Sequence, residues 1–205
     1  MKILYYILFL GVFISCEKAK KENEKTEINK QAFDLNNHGA KLILTQNNDS
    51  ILKAIELFNE AIKIQPNYYL AYWNKFTFLN KLGKTETAFE TLKQLEKLKP
   101  NNPSIKVVAG IFIEQNKDSL EARNKFLEAD KIYNNILDTL KFKNDPNQSI
   151  LTNKAVNLKL LGRESEGNEI LKEISNKTTN ENFKKNIDNF VTMSREDIIK
   201  NMKQY

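Results

Sequence analysis

The sequence predicts an all-α chain built as an array of helix pairs, and three observations carry that prediction. Pro66 and Pro100 lie 34 residues apart, as do Ala54 and Ala88, and again Ala88 and Ala122. A fixed period of this length in helix-forming sequence marks stacked repeats, each too small to bury its apolar face alone. Helix breakers are scarce, with four Pro and six Gly in 205 residues, while Leu, Ile, Lys, Glu and Ala, which favour helix, are abundant. Finally, 40% of the residues are hydrophobic, enough for one domain with a real core.

The chain opens differently from the rest. Lys2 precedes an apolar run of 12 residues, Ile3 to Ile14. A bilayer span takes about 20 apolar residues, so residues 1–15 read as a secretory signal peptide. The run ends in Ser15-Cys16, a small residue before the chain's one cysteine. This junction resembles the lipobox of bacterial lipoproteins, with Phe13 standing where that family most often has Leu. The resemblance implies cleavage between Ser15 and Cys16, lipid on the Cys16 sulfur and new N-terminus, and a place in the bacterial cell envelope, with the outer membrane expected. Each buried CH₂ of the acyl chains would contribute about 0.8 kcal/mol to anchoring. Residues 16–31 follow as a tether. Five Lys and four Glu fall between Glu17 and Lys30, too polar a run to offset its ordering entropy by burial.

Residues 32–178 hold the repeats. In the first, Phe33 to Pro66, the second helix carries Ala54, Phe58 and Ala61 before Pro66. The first helix is expected to offer Ala40 as its close-contact residue if the turn at residues 46–50 is about two residues long in excess, with Ser50 as N-cap. The second repeat, about Tyr69 to Asn102, repeats the set as Ala88, Leu92, Leu95 and Pro100, with Gly83 at the turn between its helices. In it Phe76 takes the place of a small residue. The third, from Pro103, has Gly110, Ala122, Phe126 and Ala129 but no closing Pro. Its apolar pattern predicts one long helix from about Asp118 to Lys141, ended near Pro146. The fourth, from Gln148, has Ala155, Gly162, Gly167, Leu171 and Ile174. Residues 179–205 carry two short apolar patterns, one around Phe183, Ile187 and Phe190, one after Ser194, and read as capping helices that close the array.

These residues resemble the tetratricopeptide repeat family over about residues 33–175. In that family small residues meet where helices A and B of a unit cross, a bulky one fills the adjoining hole, and Pro ends helix B. The resemblance implies a right-handed α-α superhelix of about four helix pairs whose A helices line a concave groove. Carried over, that groove takes Asn37, Lys41 and Leu44 from the first repeat, and Leu70, Trp73, Thr77, Asn80 and Lys81 from the second. The third gives Val107, Ile111, Glu114 and Gln115, and the fourth Thr152, Val156 and Lys159. Trp73, the sole Trp, is either a central hot spot or packing against a neighbouring A helix. Asn74 matches one position of the family's carboxylate clamp. Asn37 and Lys41 are exchanged in type, and Ser104 and Val108 replace two basic residues, so that clamp is not expected. Val107 and Ile111 suit an amphipathic helix or an extended apolar peptide instead.

The remaining chemistry is sparse. The net charge of +6 rests mostly on Lys, with three Arg and Glu mixed throughout, so no nucleic-acid partner is expected. One cysteine and one histidine, His38, give no disulfide and no metal set. Gly83-Lys84 and Gly162-Arg163 lack the upstream glycine of a phosphate loop. The expectation is no enzyme and no cofactor. The expected role is an envelope-anchored scaffold that binds another protein or peptide through the groove. The alternative is a substrate-binding lipoprotein, for a glycan or small molecule, associated with an outer-membrane transporter.

Overall fold

The computed structural model describes residues 27–42, 47–116, 118–139 and 148–203. The signal segment, Cys16, most of the charged run, Leu44 and the end of the long helix near Pro146 lie outside the described residues. Among those described, the chain is all-helical, as expected. The helices are α1 (Lys30–Lys41), α2 (Asn48–Ile64), α3 (Tyr69–Lys81), α4 (Thr85–Leu98), α5 (Pro103–Gln115), α6 (Ser119–Thr139), α7 (Ser149–Leu160), α8 (Glu164–Lys177), α9 (Glu181–Thr192) and α10 (Arg195–Lys203).

Several helix starts are set by side-chain caps. Asn29 Oδ1 accepts from the backbone of Gln31 (2.9 Å) and Ala32 (3.2 Å), so α1 begins at Lys30, two residues inside the expected tether. Asn47, not Ser50, caps α2, accepting from Asp49 N at 2.8 Å. Asn102 caps α5, with Pro103 in the first turn where its missing N–H costs nothing. Two of the interhelical turns are the same motif. Gly83 (φ 69°) and Gly162 (φ 81°) take the left-handed conformation. The following amides then reach back, Lys84 N to Leu79 O and Arg163 N to Leu158 O, both at 2.9 Å. This is the Schellman closure, which satisfies carbonyls that a helix end would otherwise leave bare.

The described helices fall into two compact units, residues 27–101 and 102–202. In the first, α1 packs on α2, α2 on α3 and α3 on α4, and α1 also meets α3. In the second, α5 packs on α6, α6 on α7, α7 on α8 and α8 on α9. The helix-B residues spaced by the sequence period are all buried: Ala54, Phe58 and Ala61; Ala88, Leu92 and Leu95; Ala122, Phe126 and Ala129; Leu171 and Ile174. Each fully buried Phe or Leu contributes about 1.5–3 kcal/mol. Phe58 also meets Phe78 edge-on, with ring centroids 5.0 Å apart, and so ties α2 to α3.

Close approach depends on three glycines. A Cβ on Gly110 would sit 2.4 Å from the Phe126 ring, and one on Gly167 would sit 2.6 Å from the Ala155 carbonyl oxygen. In the first repeat that role belongs to Gly39 rather than Ala40, because a Cβ there would meet Phe58 at 2.7 Å and Ala54 O at 3.1 Å. Gly110 to Ala122 and Ala155 to Gly167 each span 12 residues, while Gly39 to Ala54 spans 15. The first turn therefore carries three extra residues, one more than the spacing of Ala40 implied.

Candidate functional site

A polar bond joins helices α1 and α3, Asn74 Nδ2 donating to Asn36 Oδ1 at 2.8 Å. Asn36 is 1% exposed, and both its own amide nitrogen and the nearby Tyr68 hydroxyl are buried without a partner. Burial raises the Tyr68 phenol above its ordinary value, and the Asn36 amide partly opposes that. Asn37 follows Asn36 in α1, and Leu70 stands one turn before Asn74 in α3.

Of the expected groove residues in α1 and α3, Asn37, Thr77 and Asn80 are half-buried, Lys41 is exposed, and Leu70 is 40% exposed. Thr77 Oγ1 is turned inward along its own helix, donating to Trp73 O at 3.0 Å. Trp73 is 8% exposed, its ring 5.7 Å from that of Phe76. It is packed, not presented, and the exposed apolar side chain of the row is Leu70.

Helices α5 and α7 are different. Val107, Ile111, Thr152 and Val156 are each 4% exposed or less. From Pro103 to Ile113 the one side chain not buried is Lys106, which pairs with Glu128 at 3.0 Å. These residues are core. Their polar companions, Glu114, Gln115 and Lys159, are engaged with the chain's own C-terminal helices. Gln115 Nε2 donates to Ile199 O at 2.7 Å, and Glu114 Oε2 accepts from Arg195 Nη2 at 2.8 Å.

Lys159 is the most confined of the three. Its side chain is fully buried, and its ammonium donates to Asn168 Oδ1 (2.7 Å), Phe190 O (2.8 Å) and Val191 O (3.1 Å). Three donors meet three acceptors, two of them carbonyls at the negative C-terminal end of α9. Burial pushes its pKa down, and Glu164, 3.7 Å away, pulls it back up. The arrangement is that of a helix cap supplied from another helix.

Reading the sequence for sites missed Arg195, which also donates from Nε to Leu160 O at 2.8 Å. It missed Asn157 as well, which is fully buried and bonded to Phe126 O at 2.9 Å. The acceptors are backbone carbonyls, which no residue type announces. Among the described residues no group of three or more His, Cys, Asp or Glu is placed to hold a metal ion, and no helix is long and apolar enough to cross a membrane. Compared with known proteins, the chain matches no family model and no curated protein.

Proposed function

We propose that the chain is an envelope-anchored lipoprotein whose helix pairs form a tetratricopeptide-like right-handed superhelix. In this reading it acts as an assembly scaffold that holds another protein or peptide. The carrying observation is the division of labour within residues 27–101. The helix-B residues Ala54, Phe58, Ala88 and Leu92 are fully buried. Asn37, Lys41, Leu70 and Asn80 on the A helices keep contact with solvent. An accessible leucine among amides and a lysine has the makings of a recognition surface, an apolar anchor within a polar rim. The repeat reading is supported by the period of buried positions, by Gly39 and Gly110 each facing a Phe, and by the two matching Schellman turns. The anchoring reading rests on Cys16 at the end of the apolar run.

Site-specific photocrosslinking in intact cells tests this. A crosslinking residue at position 70 is expected to yield a discrete adduct that the same residue at position 93, on the exposed side of α4, does not yield. No adduct at 70, or the same adduct from both, defeats the binding-face reading. Lipid labelling that persists in Cys16→Ser defeats the anchoring one.

A further inference from the structure

The C-terminal segment breaks at Met193–Ser194 into two helices held in different ways. α9 is fixed. Ile187 is fully buried, Ser175 Oγ donates to Asp188 Oδ1 at 2.6 Å, and Lys159 closes the last carbonyls. α10 carries its own start. Ser194 N and Oγ both donate to Asp197 Oδ2, at 3.0 and 2.8 Å, and Asp197 N donates back to Ser194 Oγ at 3.1 Å. This reciprocal capping box needs nothing beyond α10 itself. The backbone on each side of the break is thus completed independently, and lifting α10 orphans no amide or carbonyl at the hinge.

Among the described residues, few contacts hold α10 down. Ile198 is buried, Arg195 reaches Leu160 O and Glu114, and Gln115 reaches Ile199 O. Glu114 and Gln115 end α5, and Leu160 ends α7. The seat is therefore made of two adjoining helix C-termini, negative by their dipoles and by Glu114, beside an apolar socket. Its present occupant brings a cation and, one turn later, an isoleucine.

We infer that α10 is a displaceable strap, and that the seat it covers binds a partner's short amphipathic helix of the same chemistry, with Arg or Lys one turn ahead of Ile or Leu. This rests on the reading of the A helices as a binding surface. Because it concerns α5 and α7 alone, its failure leaves the crosslinking result at position 70 untouched, and the reverse holds too.

The test uses the full chain and a fluorescent peptide of residues 193–205. In the wild type, α10 amides are expected to exchange with deuterium at least about 100-fold faster than those of α7, the mark of a local opening. Arg195→Glu, which sets its own strap against Glu114, is expected to bind the peptide about tenfold tighter than wild type. Adding Glu114→Lys to that variant is expected to remove the gain. Protection of α10 equal to that of α7, or one peptide affinity across all three proteins, overturns the inference. Wild-type dimers formed by exchanged α10 segments overturn the assignment to a separate partner.

Discussion

Residues 27–101 and 102–202 are both built of paired helices, yet the expected groove positions fare differently in the two. In the first, Leu70 and Lys41 meet solvent. In the second, Val107, Ile111 and Val156 are core, and Glu114, Gln115 and Lys159 are taken up by α9 and α10. Part of the difference lies in the helices' own pattern, since α5 runs Val107, Val108, Ile111, Phe112 and Ile113 where α1 offers Asn37 and Lys41. Part comes from what the chain supplies later, since the polar groups at the ends of α5 and α7 find their partners in α9 and α10.

The sharpest way to break this comparison is to truncate one side chain on each face. Ile111→Ala should cost about 2–5 kcal/mol, the usual range for a fully buried aliphatic. Leu70→Ala should change stability by about 0.5 kcal/mol or less, as for an exposed site. Urea melts of the two variants check this, and equal losses would mean that Leu70 is core as well.

A somewhat smaller effect is expected at Lys159. Lys159→Met deletes the donor to three buried acceptors while removing the cost of burying a charge. The two oppose, leaving a net loss of about 2–3 kcal/mol. Hydrogen exchange should place that loss in α9 first. A variant as stable as wild type would mean that the amine only fills space.

The smallest effect belongs to the strap's own cap. The Ser194 hydroxyl and amide hold Asp197 below the ordinary carboxylate value, with Lys200 a lesser contributor. A carboxylate whose folded pKa is depressed stabilises above its unfolded pKa, and that help is lost as pH falls through the folded value. NMR titration should find Asp197 returning towards the ordinary value of about 3.9 in Ser194→Ala. An unmoved titration would mean that the capping box does not persist in solution.

Much of the fold was legible because packing repeats with the chain. Ala54, Ala88 and Ala122 announce the crossing of helices at a spacing that no strand would keep. Gly83 and Gly162 announce turns needing positive φ. The first repeat's details were not legible, because a chain rich in Asn offers several caps close together, and Asn29 and Asn47 won. Part of the A-face was misjudged for a longer-range reason. Whether Glu114 and Gln115 are open depends on residues more than 80 positions away, Arg195 and Ile199. Lys159 was invisible as a cap because its partners at Phe190 and Val191 act through carbonyls.

A stack of like repeats has two unlike ends, and an uncovered end can take the start of another copy, which is how head-to-tail fibres grow. Here α9 lies against α8, as a further repeat would, and turns Glu181, Asn182, Lys185 and Asp188 to solvent. A helix laid against that side of α9 would have to bury Glu181, Lys185 and Asp188, a cost that no apolar face there offsets.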